Sequence, residues 1–145
     1  MPTPASNAWH LTCDGGSRGN PGPGAYGFVL TDPQGAEVEA RGEYLGSVTN
    51  NVAEYRSLIA GLEAAALRGI AALNVSMDSE LVVRQMKGEY RVKNEGLKPL
   101  HAAAKAASAR IGVVRFVAVR REHNTRADQI VNETLDRALG FESPR

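Results

Sequence analysis

The chain has 145 residues, 43% of them hydrophobic, which is enough for one core and too little for two domains of ordinary size. Its single cysteine, Cys13, excludes an internal disulfide framework, and no stretch approaches the roughly 20 apolar residues of a membrane span. The net charge of +1 decides nothing, and MPTPASNA has neither the basic start nor the apolar run of a signal peptide, so a soluble, cytoplasmic protein is expected.

Residues 1–8, rich in Pro, Ser and Asn, read as a flexible tail. Trp9, Leu11 and Cys13 alternate with His10, Thr12 and Asp14, the period of a strand that closes at Asp14. Residues 15–24 hold five glycines and two prolines and read as a loop. A second strand is expected at 25–30 and a third at 38–45. Between them, Asp32-Pro33-Gln34-Gly35 is turn chemistry, so the pair is antiparallel.

Residues 49–69 carry the best helical pattern, with Val52, Tyr55, Leu58, Ile59 and Leu62 on one face. Asn51 and Glu54 have the spacing of a capping box, and Gly69 is a suitable stop. Leu73, Val75 and Met77 alternate with Asn74, Ser76 and Asp78, giving a fourth strand that ends at Asp78. A short helix follows at 79–87, then a basic loop at 88–96 and an Ala-rich helix at 97–110 with Pro99 near its start. A fifth strand is expected at 113–119, a loop at 120–124, a last helix at 125–139 capped by Thr125, and a C-terminal tail at 141–145.

A helix separates the third strand from the fourth, so the fourth is expected to pair in parallel with the first. The expected architecture is one α/β domain over 9–140. It has a mixed five-stranded sheet, three antiparallel strands then parallel strands, with helices on both faces. Charge is unevenly spread. Residues 1–90 hold 6 Lys and Arg against 10 Asp and Glu, whereas residues 91–126 hold 9 against 2. The basic stretch is either a phosphate-facing surface or a set of solvated helix and loop charges.

Four carboxylates fall where such a sheet would gather them. Asp14 and Asp78 close the first and fourth strands, and open α/β sheets place their sites beyond the carboxyl ends of strands. Glu54 and Asp128 lie in the first turns of helices that can point back at that end. Each has a plain alternative: a turn former at Asp14, a capping partner at Glu54, a cap at Asp78-Ser79, a dipole partner at Asp128. Together they suit hard cations, because clustered acids raise one another's pKa until a metal fills the site. The glycine-rich segment after Asp14 lacks the Gly-Lys-Ser/Thr end of a P-loop and suits close approach of a nucleic-acid backbone instead.

The strings DGGSRGNPGPGAYGFVL, TNNVAEYRSLIAGLEAA, MDSELVVRQM and REHNTRADQIVNETLD resemble, in order and spacing, the four sequence blocks of the type 1 ribonuclease H family, in particular its compact bacterial and archaeal members. The resemblance implies a ribonuclease H-like fold and an endonuclease cutting the RNA strand of an RNA–DNA hybrid, leaving 5′-phosphate and 3′-hydroxyl ends. It implies two Mg²⁺ ions, with Mn²⁺ as a substitute, on Asp14, Glu54, Asp78 and Asp128. It places Gly15, Asn20, Asn50 and Glu80 or its backbone against the hybrid's minor groove, Gly16 among the substrate-binding residues, and Thr49 with Asn50 at a DNA phosphate. Arg121, Arg126 and Asn124 are further candidates for contact with the substrate. Two segments depart from the family pattern. The loop before the last Asp is short, so that His123 either takes over the work of a longer loop's histidine or is a solvated loop residue. GEYRVKNEG is too short for a basic helical protrusion. A monomer is expected. The alternatives are a hybrid-binding module without activity and a related nuclease that also cuts double-stranded RNA.

Overall fold

The computed structural model describes residues 7–141, and the expected tails at 1–6 and 142–145 lie outside the described residues. Of the remainder of the expected N-terminal tail, Ala8 is buried and belongs to the fold. The elements are β1 (Trp9–Ser17), β2 (Gly22–Thr31), β3 (Glu37–Val48), α1 (Asn50–Leu67), β4 (Ala72–Met77), α2 (Glu80–Met86), α3 (Lys98–Ala109), β5 (Val113–Ala118), a 3₁₀ turn (Arg121–His123) and α4 (Thr125–Ala138). They form one sheet of order β3-β2-β1-β4-β5. β1–β2 and β2–β3 are antiparallel, and β1–β4 and β4–β5 are parallel, as the element order requires.

The two faces are covered by different helices. Leu11 and Cys13 of β1, Phe28 and Leu30 of β2, and Leu73, Val75 and Met77 of β4 pack against Leu58, Leu62 and Ala65 of α1 and against Ala104 and Ala107 of α3. Each fully buried large side chain here contributes about 1.5–3 kcal/mol relative to exposure. On the opposite face Ala25 packs with Val131 and Leu135 of α4. α4 lies close because Gly27 and Gly42, paired across β2 and β3, offer it no side chains. A Cβ on Gly27 would sit 2.8 Å from Ile130 Cγ2, and one on Gly42 would sit 2.3 Å from Thr134 Oγ1.

The glycine-rich segment is not the loop that its composition suggests. β1 runs on through Gly15 to Ser17 and β2 begins at Gly22, so Asp14 lies inside β1, opposite Gly27, rather than at its end. The reason is tertiary. Gly15 faces α1, where a Cβ would lie 2.2 Å from the Ala53 carbonyl carbon and 2.5 Å from the Glu54 nitrogen. Strand propensity gives way to close approach between backbones.

The helix caps also differ from the expected ones. Thr49, not Asn51, caps α1, with Oγ1 accepting from the Val52 N–H at 3.2 Å. Glu54 is therefore the fifth residue of the helix, two positions beyond that of a capping partner. Asn124, not Thr125, occupies the cap position of α4. Gly69 ends α1 as expected: its φ is +72°, and the Gly69 and Ile70 N–H groups bond to the Ala66 and Ala65 carbonyls.

Two adjacent glycines test this packing. Gly15→Ala should cost about 3 kcal/mol or more, because a rigid backbone stands in the way. At Gly16 the nearest atom to an added Cβ is Asn50 Oδ1 at 4.0 Å. Gly16→Ala should therefore change stability by less than about 0.5 kcal/mol. Thermal unfolding of the two variants measures the contrast, and equal losses would mean that the α1–β1 approach is not the constraint.

Candidate metal centre

β1 extends past the end of its parallel neighbour β4. Their register, Trp9 with Leu73 to Thr12 with Ser76, continues to set Asp14 level with Asp78, just beyond β4. α1, seated on Gly15, brings Glu54 to the same place. One carboxylate oxygen from each of Asp14, Glu54 and Asp78 lies within 4.8 Å of the others. Asp128 arrives from the other face of the sheet on the first turn of α4 and hydrogen-bonds with Asp14. The four acids line a cleft of about 490 Å³ together with Gly15, Gly16, Asn50, Arg18 and Arg121.

Burial sets the electrostatics. Asp14 is 7% exposed, and its carboxyl is pushed up to about 8, first by that burial and then by the charges of Asp78 and Asp128, the Asp128 hydrogen bond and the charge of Glu54. Glu54 is pushed up to about 7 by burial and by Asp78, against a Ser79 hydrogen bond that favours its ionised form. Ser79 thus serves twice, since its Oγ also accepts from the Val82 N–H at the start of α2. The donor set fits a divalent cation. Oxygen ligands from three segments converge, and the cluster holds excess protons in place of a counter-charge. No other sign of charge inside the triad offsets it; Arg121 Nε stands 3.9 Å from Asp78 Oδ2 on a largely exposed side chain.

The other expected site residues are placed as follows. Asn50 Oδ1 accepts from the Ser17 N–H at 2.9 Å, and Asn20 Oδ1 accepts from the Asn50 N–H at 3.0 Å, so both asparagines brace the β1–β2 turn on α1. Thr49 is the α1 cap. Glu80 is exposed, pairs with Arg84 at 2.8 Å and lines a separate groove beside β5. His123 is exposed in the 3₁₀ turn and is not among the residues lining the cleft. Asn124 differs from its expectation as a substrate contact. It is 2% exposed, and its Nδ2 donates to the Cys13 carbonyl at 3.1 Å, tying the start of α4 to the strand that carries Asp14. Arg126 pairs with Glu37 at 3.1 Å, away from the cleft.

Three residues of the site escape a reading of the sequence: Ser79 as donor to Glu54, Arg18, and Asn132, whose Nδ2 donates to Asp128 O at 3.1 Å and Oδ2 at 3.4 Å. The four-residue step from Asp128 to Asn132 is the one available signal.

A mixed sheet of this order, with α1 and α4 on opposite faces and acids meeting beyond β4, defines an α/β protein of the ribonuclease H-like fold. Comparison with known proteins agrees. A family profile described as reverse transcriptase-like matches residues 12–134. A bifunctional protein of Mycobacterium tuberculosis is 43% identical over 129 residues, 88% of this chain and 35% of that protein. The crystal structure of its N-terminal RNase H domain, solved as a maltose-binding-protein fusion, matches with a TM-score of 0.89 at 40% identity over 92% of this chain and 97% of that one. Ribonuclease HI of Halobacterium salinarum is 40% identical over 129 residues, 89% of this chain and 65% of that protein, and the RNase H1 structure from that archaeon matches with a TM-score of 0.86, covering 98% of that chain. LC11-RNase H1 in complex with an RNA/DNA hybrid matches with a TM-score of 0.85 at 43% identity over 90% of this chain and 99% of that one. The chain belongs to the ribonuclease H family. It spans about a third of the mycobacterial protein and about two thirds of the archaeal one.

The raised carboxyls make the metal-free protein pH-sensitive in a defined direction. In the unfolded chain these groups titrate near about 4. Above that pH the folded protein holds protons that the unfolded chain has released. Their contribution to stability is complete below about pH 4 and is lost as pH rises to about 7 for Glu54 and about 8 for Asp14, at up to about 1.4 kcal/mol per pH unit for each group. Asp14→Asn should therefore raise the Tm of the metal-free protein more at pH 8 than at pH 5. A gain of the same size at both pH values would contradict the assignment.

Proposed function

We propose that this protein is a divalent-metal-dependent endoribonuclease that hydrolyses the RNA strand of RNA–DNA hybrids and leaves 5′-phosphate and 3′-hydroxyl ends. The observation that carries the reading is the convergence of Asp14, Glu54 and Asp78 within 4.8 Å, with Asp128 closing the set, at the floor of an open cleft. A relative 43% identical to this chain has been crystallised with an RNA/DNA hybrid, which supports hybrid as the substrate class. Residues 9–140 form the ribonuclease H domain in this reading, acting as a monomer, and the buried, free thiol of Cys13 suits a reducing cytoplasm.

Asp14, Glu54, Asp78 and Asp128 would hold Mg²⁺. Bound there, Mg²⁺ would supply activation of water for attack on phosphorus and stabilisation of the departing 3′ oxygen. The protein's own groups prepare this. The Ser79 hydroxyl beside Glu54 favours its ionised form, which is the form that binds cations or accepts a proton from water. Asn132 and Asn124 steady Asp128 against Asp14. Asn50 Oδ1 is engaged by Ser17, which leaves its amide N–H₂ to meet the substrate. Selection of RNA over DNA in the cut strand rests on contacts with ribose 2′-hydroxyls along the Gly15-Gly16 edge.

One RNA strand, labelled and presented single, paired with DNA, or paired with RNA, tests the reading. Cutting is expected only in the DNA-paired form, with Mg²⁺ or Mn²⁺, and is abolished by EDTA. Equal cutting of the RNA duplex would remove the hybrid selectivity. Asp78→Asn should lower kcat by at least about 10³-fold while circular dichroism and Tm stay near wild type, and retained activity would remove the metal centre from the mechanism. His123→Ala should slow turnover only several-fold, as expected of an exposed group that assists rather than binds. An unchanged rate would return His123 to a solvated turn.

A further inference from the structure

We propose that Arg18 is a phosphate ligand, a guanidinium held at one edge of the acidic cleft to grip the backbone of the bound nucleic acid. The inference rests on the reading of this cleft as the nucleic-acid site. Two cations line the cleft, Arg18 and Arg121, against four acids. Arg121 is 84% exposed and stands beside Asp78. Arg18 stands elsewhere, at the height of Asp136 on α4, eight residues beyond Asp128. Eight helical residues span about 12 Å, or a few nucleotides of a strand at about 3.4 Å each.

The side chain is ordered before any substrate arrives. Its backbone N–H bonds to the Pro23 carbonyl at 2.8 Å, and its neighbours Ser17 and Asn20 are tied to Asn50, so the turn beneath it is braced on α1. Its Nη2 donates to Asp136 Oδ1 at 2.7 Å and reaches Asn132 O at 3.5 Å. Both contacts use one nitrogen, which leaves the rest of the planar fork for a second oxyanion. The side chain is 36% exposed. At such exposure the ion pair with Asp136 adds at most about 1 kcal/mol to stability, so stability alone gives little reason for the arrangement. An arginine fixed in place loses less entropy on gripping a phosphate than a free one does.

Steady-state cleavage of a labelled RNA–DNA hybrid across a salt series, with Mg²⁺ saturating, tests the proposal on four proteins: wild type, Arg18→Gln, Arg18→Lys and Asp136→Asn. Arg18→Gln should raise KM about 5–10-fold with kcat within about twofold, and should flatten the slope of log affinity against log salt by about one. Arg18→Lys should keep the slope, with an intermediate KM, because it keeps the charge and loses the fork. Asp136→Asn breaks the ion pair and leaves the cation, so it should keep the wild-type slope and raise KM less than Arg18→Gln does, the guanidinium being no longer positioned in advance. If Arg18→Gln has the wild-type KM and slope, Arg18 does not touch phosphate. If Asp136→Asn reproduces the Arg18→Gln defect, Arg18 acts only as a clamp between the turn and α4, and the proposal fails. A wild-type protein that neither binds nor cuts the hybrid would overturn the functional reading and this inference together, a result separate from the other two.

Discussion

The contact of the α1 backbone with Gly15 governs the upper end of the molecule. Glu54 sits one residue past Ala53, whose carbonyl carbon occupies the space that any side chain at position 15 would need. Leu58, Leu62 and Ala65 seat the same helix on the core, so the backbone approach at Gly15 and this packing together set where Glu54 stands. The acids gain nothing from one another. Asp14 and Glu54 are both held where burial and neighbouring charge oppose ionisation. What keeps them together is the apolar packing beneath, which offsets the unfavourable burial of the acids.

The same logic operates on the other face. Asp14, Gly27 and Gly42 lie in one row across β1, β2 and β3. Two of the three have no side chain, and α4 settles into the space. Asp128 is thereby delivered to Asp14 through the sheet's far side, and Asn124 pins the start of α4 to the Cys13 carbonyl next door. β4 stops at Met77 while β1 continues to Ser17, so the strand that carries Asp14 has no parallel neighbour at that height. The cleft is the gap so left, at the place where the sheet changes from antiparallel to parallel pairing.

Much of this is written in local patterns. Alternation at Trp9, Leu11 and Cys13 and at Leu73, Val75 and Met77 marks strands whose burial is one-sided, and element order then dictates the pairing. Asp14 and Asp78 are legible because each ends such a pattern, and Glu54 and Asp128 because each lies near the start of a helix. Glycine-rich strand ends are not legible, since the residues that forbid a strand by propensity permit it here by close approach, a fact of tertiary structure. The α1 cap misleads for a different reason. Asn51 and Glu54 have the right spacing, but Thr49 stands two residues earlier with an oxygen that also caps, and it is Thr49 that accepts from the Val52 N–H. Asn124 looks like a polar loop residue and is buried, because its amide completes a strand carbonyl more than 100 positions away in the chain.

Linear charge is an equally poor guide to the surface. The basic stretch 91–126 runs through the loop before α3, α3 itself, the edge strand β5 and the 3₁₀ turn, so its cations are dispersed over the molecule. Among them Arg121 alone lines the cleft, and the second cation there, Arg18, comes from a segment of net negative charge. Four acids against two guanidinium groups leave the cleft unattractive to a polyanion. Under the proposed function, cations held by the acids would reverse that balance, and a phosphodiester in the cleft would offer them further oxygens. If the acids hold metal and the cleft holds nucleic acid, as proposed, the two affinities are linked and each raises the other by the same factor. Burial and neighbouring charge favour the protonated forms of Asp14 and Glu54, and protons would compete with a cation for the same oxygens, so pH would enter this coupling at the acids.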